Sequence, residues 1–186
     1  MKITQIFLIA LFVTMASSIA DAQLLLEQGK IKLDVVADTT IADHLTIFNT
    51  SNASVEVKTY WEDFIYVSPF NGKKDFRPQG TVENSCSKWV NFSPRQFTLP
   101  PYGKKVIDYT INVPKDAHGG YYGVLFAEQQ GGQLEGMAGV RIVARVGTLF
   151  FLETTDKKKI GKIDQISTKD NNAITGIFSN FGDVIL

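Results

Sequence analysis

Hydrophobic and polar residues alternate along most of this chain with a period of two, the spacing that puts every other side chain on one face of a β-strand. The pattern is cleanest over residues 89–127. Residues 89–92 read as one short strand. Residues 105–113 read as a second, with Ile107, Tyr109, Ile111 and Val113 on one face and Asp108, Thr110 and Asn112 on the other. Residues 121–127 read as a third, with Tyr122, Val124 and Phe126 sharing a face. Pro100-Pro101-Tyr102-Gly103 and the run from Pro114 to Gly120 break the chain between them.

The remaining residues supply further strands around these three. Residues 24–26 and 31–36 form a first strand region, and 45–48 the next, closed by the turn-rich run Asn49-Thr50-Ser51-Asn52-Ala53-Ser54. In 55–67, Val55, Val57, Thr59 and Trp61 share a face, after which Phe64 and Tyr66 take the opposite parity. That slip predicts a bulge or bend at Glu62-Asp63. Residues 68–88 are polar and irregular apart from Phe70 and Phe76, with a tight-turn signal at Asn71-Gly72. They are expected to be an excursion with its own packing or a functional loop. Gln129-Gln130-Gly131-Gly132 predicts a hairpin-like turn. Residues 139–152 predict a long final strand with Val140, Ile142, Ala144 and Val146 on one face. No segment before Glu153 carries a helical period.

About seven short alternating strands with regular turns predict an all-β domain, an immunoglobulin-like antiparallel β-sandwich, over residues 23–154. Clean alternation implies that each sheet has one buried and one wet face. Asp156-Lys157-Lys158-Lys159 marks a linker. Residues 160–167 and 173–178 then read as two more strands joined at Lys169-Asp170-Asn171-Asn172. Two strands cannot enclose a core. They either dock on the first domain or begin a second β-sandwich, and residues 155–186 are expected to be a truncated second β domain.

Composition narrows the class. The 186 residues carry 19 basic and 19 acidic side chains, so nothing in the net charge favours nucleic acid or an anionic membrane as partner. A chain 44% hydrophobic and 11% aromatic can build a core. Residues 1–22 read as a secretory signal peptide: Lys2, an apolar run over 6–15, and the small-x-small site Ala20-Asp21-Ala22 before Gln23. The competing reading is a membrane anchor, for which the apolar run is short. No later apolar stretch is long enough to span a bilayer. The expected location is therefore the periplasm or the cell surface. Cys86 is the only cysteine, so no internal disulfide is available. It is either a buried small hydrophobe or a free thiol.

Candidate chemistry is sparse. His44 and His118 stand far apart with no cysteine at ligand spacing, so no zinc site is expected. No G-x-S-x-G occurs. Glu62 and Asp63, adjacent in a strand, point to opposite faces and read as solvated charges. Gly119-Gly120-Tyr121-Tyr122-Gly123 lacks the lysine of a phosphate loop and reads as a tight turn into a strand. Asn49-Thr50-Ser51, Asn52-Ala53-Ser54 and Asn91-Phe92-Ser93 fit the glycosylation pattern but read as turn chemistry. No catalytic residue, cofactor or metal is expected. Tyr66, Phe70, Phe76 and Arg77, beside the irregular loop and near Trp61, are the candidate binding residues. Aromatic side chains stack on sugars and anchor protein interfaces, and plain core packing is the competing account.

A resemblance runs through the same stretch. Trp89, Ser93-Pro94, Phe97, Leu99, Pro101, Ile107, Ile111, Val113-Pro114, Ala117, Gly120, Tyr122 and Gly123 follow a pattern that resembles the bacterial exported immunoglobulin-like domain of WxL-interacting cell-surface proteins. More distantly, it is similar to the amino-terminal domain of PapD-like pilus-assembly chaperones. Ile47-Phe48-Asn49-Thr50-Ser51 followed by 55–63 resembles the opening strands of that family. Phe178-Ser179-Asn180-Phe181-Gly182-Asp183 is similar to a turn early in its second domain. The resemblance implies binding to peptidoglycan or to a partner surface protein, and it carries over no catalytic residue. The chaperone likeness implies a pair of basic residues gripping a subunit's terminal carboxylate, and no motif here marks such a pair. The expected function is an exported, non-catalytic binding module of the cell envelope that recognises cell-wall glycan or another surface protein. The alternatives are a periplasmic PapD-like chaperone or a structural spacer of a surface protein.

Overall fold

The computed structural model describes residues 24–130, 143–169 and 173–186. The expected signal peptide with its cleavage site, Gly131-Gly132 of the predicted turn, the first residues of the predicted last strand and the turn at 170–172 lie outside the described residues. The chain is all-β. Its strands are β1 (Leu24–Leu26), β2 (Lys30–Val35), β3 (Thr40–Asn49), β4 (Val55–Tyr66), β5 (Lys74–Pro78), β6 (Val90–Ser93), β7 (Gln96–Leu99), β8 (Lys104–Asn112), β9 (Gly120–Gln130), β10 (Arg145–Thr154), β11 (Gly161–Lys169) and β12 (Ala173–Asn180).

Two sheets face each other. The first has the order β1-β3-β8-β6. The second has the order β2-β10-β9-β4-β5, with β7 also on β4. The predicted first strand region is two strands that serve different sheets: β1 pairs antiparallel with β3, and β2 pairs parallel with β10. Between the sheets lies one core. Ile107, Tyr109 and Ile111 of β8, Val57 and Trp61 of β4, and Phe150 and Leu152 of β10 meet there. The Trp61 and Phe150 rings stand 5.2 Å apart, as do those of Tyr109 and Phe150. Gly123 exists because of this packing: a Cβ there would sit 2.2 Å from the Trp61 ring.

The predicted bulge at Glu62-Asp63 is absent. β4 keeps unbroken register with β9 as far as Glu62↔Val124 and with β5 from Glu62↔Pro78 to Tyr66↔Lys74. The parity switch has another cause. At this end the outer face of the second sheet is also apolar, and Phe64, Tyr122, Val124, Phe126 and Phe151 form a second buried cluster there. One strand therefore changes which of its faces is dry without changing its pleat.

Asp63 is also not the solvated charge its sequence context suggests. Its side chain is fully buried and accepts hydrogen bonds from Gly80 N (2.7 Å), Thr81 N (3.2 Å) and Ser85 Oγ (2.8 Å). These bonds fold the second half of the 68–88 excursion onto the sheet. Tyr122 N then donates to Asn84 O at 3.0 Å, and Ser85 bridges to Tyr122, so the loop continues the sheet where β4 leaves it. Cys86 is buried within the main core, and burial pushes its thiol pKa well up. Asn49 is turn chemistry: its buried amide donates to Ala53 O and Pro100 O and accepts from Ser51.

β11 and β12 form a separate two-stranded sheet. The tail after it returns to the sandwich. Gly120 N donates to Asp183 O (2.9 Å), Lys158 N to Asp183 Oδ1 (2.7 Å), and Ile185 N to the Tyr122 hydroxyl (2.7 Å). Val184 is buried at that junction. The predicted pair of strands is thus tied to the sandwich through the segment that follows it.

Candidate functional site: an open strand edge and an aromatic groove

β10 is bonded to β9 along its length, but β2 meets its other edge only from Leu149 to Thr154. Leu149 N donates to Gly29 O at 3.0 Å. By the two-residue period of a strand, the backbone groups of Arg145 and Gly147 face the same side. Among the described residues no strand is paired with them, although β1 passes close to β10. Four residues of β10 therefore offer an unpaired edge. The chain explains why β2 stops there. β1 belongs to the other sheet, so the segment between β1 and β2 must cross the gap between the layers just where pairing would have continued.

The open edge has a distinct lining. Val146 points into the core side. On the outer side the Arg145 guanidinium lies 4.2 Å from the Phe126 ring centroid and 5.7 Å from that of Phe76. It donates to the Tyr60 hydroxyl at 3.2 Å and pairs with Glu62 at 3.4 Å. The Tyr60 hydroxyl donates in turn to Glu128 at 2.8 Å. Burial raises the Tyr60 pKa, and the bond to Tyr60 raises that of Arg145. A Cβ at position 147 would collide with Phe126 and Val124 at 2.7–2.8 Å, so glycine there lets the aromatic layer reach the strand.

The four candidate binding residues separate. Tyr66 and Phe70 line one groove of about 590 Å³, completed by Phe178, Asn180, Ile185 and Leu186. Phe70 stands 72% exposed, with its backbone at φ 58°, a left-handed conformation that disfavours bulky side chains. Lys74 lies 4.7 Å from the Tyr66 ring centroid. Phe76 is elsewhere, packed edge-on against Phe126 at 5.1 Å as part of the outer aromatic layer. Arg77 is engaged with Asp75 at 2.5 Å and faces neither the groove nor the open edge.

Sequence reasoning marked no basic pair, yet three lysines do converge near the linker. Lys32, Lys157 and Lys159 surround the buried carboxylate of Glu153 at 2.7, 3.1 and 3.5 Å, and Lys157 also pairs with Asp34. Burial alone would raise the Glu153 pKa, but Lys32 and Lys157 outweigh it and hold the group below its ordinary value. These lysines are already matched by the chain's own carboxylates. No sequence signal joined Glu153 to Lys32, which lie on strands paired only in the fold.

Neither a family model nor a curated protein matches the chain. Solved structures do. A class 5 fimbriae chaperone, CfaA, aligns with a TM-score of 0.57 over 87% of this chain and 68% of its own, at 13% identity. A chaperone–tip adhesin complex of CFA/I fimbriae aligns with a TM-score of 0.56 over 88% and 68%, at 15% identity. A PapD-like domain of human CEP192 aligns with a TM-score of 0.50 over 77% and 94%, at 10% identity. This is a PapD-like fold. At such identities the likeness is one of architecture. PapD-like domains occur both in fimbrial chaperones and in a human protein, so function has to be argued from the exposed edge and its surroundings. Among the described residues no helix is long and apolar enough to cross a membrane.

Proposed function

We propose that this protein is an exported, non-catalytic binding module of the cell envelope that takes an extended segment of a partner protein along the open half of β10, in the manner of a PapD-like chaperone. The observation that carries the reading is the backbone of Arg145 and Gly147, unpaired among the described residues where β2 stops short of the start of β10. An open edge accepts a strand through backbone hydrogen bonds, and alternate side chains then set the register. The chaperone–adhesin complex among the structural neighbours supports a protein partner over a glycan. Export rests on the leader-like residues 1–22.

The test uses the chain as bait in envelope extract from its own cells. The expected capture is a protein whose own sandwich lacks a strand. Arg145→Pro removes one edge donor, and Arg145→Ala removes the side chain but keeps the donor. Capture should be lost in the first and retained in the second. Equal capture by both variants would refute strand addition at this edge.

A further inference from the structure

A second strand edge lies open, on the other sheet. β1 pairs with β3 only from Ile47 to Asn49, with one further bond from Glu27 N to Thr46 O at 2.9 Å. β8 holds the opposite edge of β3 from Thr40 to Phe48. Thr46 turns its carbonyl to the β1 side, so the two-residue period turns the backbones of His44 and Ala42 the same way. Among the described residues no strand is paired with them there. The cause is the crossing that also opens β10: after β1 the chain passes to the second sheet as β2, and the first half of β3 is left without a neighbour on that side.

This edge, unlike that of β10, is occupied by the chain's own side chain. Asp43 Oδ1 accepts from the backbone N–H of His44 at 2.8 Å, and that N–H is a donor an added strand would need. Asp43 stands opposite Tyr109 in the register, on the row of Ile41 and Leu45 that faces the core. A carboxylate on that row would be costly to cover. Asp43 is 55% exposed, at the lip of the sandwich where β1 has left. The buried Tyr109 reaches it from inside, with its hydroxyl 3.4 Å from Asp43 Oδ2, and His44 Nδ1 lies 3.5 Å from Oδ1. Burial, with the Asp43 charge beside it, pushes the Tyr109 phenol up to about 12, so the hydroxyl keeps its proton.

We propose that Asp43 is a guard that closes residues 40–45 of β3 against strand addition. Inward-pointing charges are one way in which sheet proteins protect an open edge. An added strand would have to strip the His44 amide from Asp43 and cover an ionised carboxylate. Two copies pairing edge to edge here would also bring two carboxylates together. Without Asp43, residues 39–48 would carry no acidic or basic side chain except His44, which is the low-charge, strand-forming composition that associates at exposed edges. This role is independent of what β10 binds.

Sedimentation velocity of the purified full chain over a concentration series tests it. Asp43→Ala frees the amide and removes the charge, and should strengthen self-association at least about tenfold over wild type. Asp108→Ala removes the same charge from β8, opposite His44 in the register, and should behave as wild type. Ala42→Pro added to Asp43→Ala takes away an edge donor without touching a bond to β8, and should return association to the wild-type level. That double variant separates an unguarded edge from mere loss of stability, which the proline would worsen. Association of Asp43→Ala no stronger than that of Asp108→Ala overturns the inference, and so does association that Ala42→Pro fails to reverse.

Discussion

Replacing Asp63 should loosen the loop that closes the second sheet, and the chain's single thiol reports the loosening. The Asp63 carboxylate accepts from two backbone N–H groups and one hydroxyl, all within 3.2 Å, and is shielded from solvent. Hydrogen bonds to a charged acceptor contribute about 1.5–3 kcal/mol each when removed singly. Their sum overstates the effect, because Asp63→Ala also removes the cost of keeping a carboxylate out of water. A net loss of about 3 kcal/mol is reasonable, which is roughly a hundredfold in the population of the opened loop. Cys86 belongs to that loop and its side chain is buried in the core, so a thiol reagent reaches it only after opening. The labelling rate should rise about a hundredfold in Asp63→Ala. Asp63→Asn should fall between, since one amide oxygen can still accept from Ser85 while its NH₂ faces the Gly80 and Thr81 donors. Labelling within threefold of wild type, with an unchanged urea midpoint, would refute the assignment of Asp63 as the loop's anchor.

Two further outcomes follow from the packing. Gly123→Ala forces a methyl into the Trp61 ring and should cost about 1–3 kcal/mol, seen as a lowered thermal midpoint and altered tryptophan fluorescence. An unchanged melt would mean that the Trp61 side chain has room to move. Because the lysines around Glu153 lower its pKa, the folded state binds fewer protons there than the unfolded chain. Its stabilising contribution is therefore present above the ordinary carboxylate value of about 4.3 and is lost as pH falls through the lower folded value. The stability difference between wild type and Glu153→Gln should shrink below about pH 4 in urea titrations, and a difference that stays constant with pH would refute the ion-pair account.

Much of the sandwich was legible because a strand with one dry face writes its geometry into every second residue. β8 shows this best: Ile107, Tyr109 and Ile111 are all buried, as their spacing implied. β7 was invisible because four residues between Pro94 and Pro100 are too few to establish a period. The parity switch at Phe64 was a true signal with the wrong cause assigned to it. Alternation reports which face is dry, and a second buried cluster produces the same trace as a bulge. In β11 the register shift between Asp164 and Ser167 went unread, because one extra polar residue between isoleucines has no distinctive spelling. Asp63 and Glu153 were beyond sequence reading for a common reason. Asp63 is held by Gly80, Thr81 and Ser85 and Glu153 by Lys32 together with its sequence neighbours Lys157 and Lys159, so local spacing alone announces neither full set of partners. Of the candidate site, Tyr66 and Phe70 come together, whereas Phe76 and Arg77 lie on a neighbouring strand whose pleat aims them elsewhere.

We propose β10 as the binding edge because it differs from the other edges of the two sheets. Unpaired strand edges invite unwanted pairing, and proteins blunt them with charge, proline or shortness. The outer edge of β2 carries Lys30, Lys32 and Asp34, and the last two are committed to ion pairs. β5 ends at Pro78, and β7 spans four residues before Pro100. β1 has three residues and β6 has four. The open half of β10 is also short, yet it differs from all of these in kind. It is the end of a ten-residue strand fully bonded on its other side, so its backbone is held straight and in register before any partner arrives. A preorganised edge loses little conformational entropy when a strand is added. Its one charged side chain, Arg145, is folded back over Phe126 and tied to Tyr60 and Glu62, which leaves the backbone beside it free of a guarding charge.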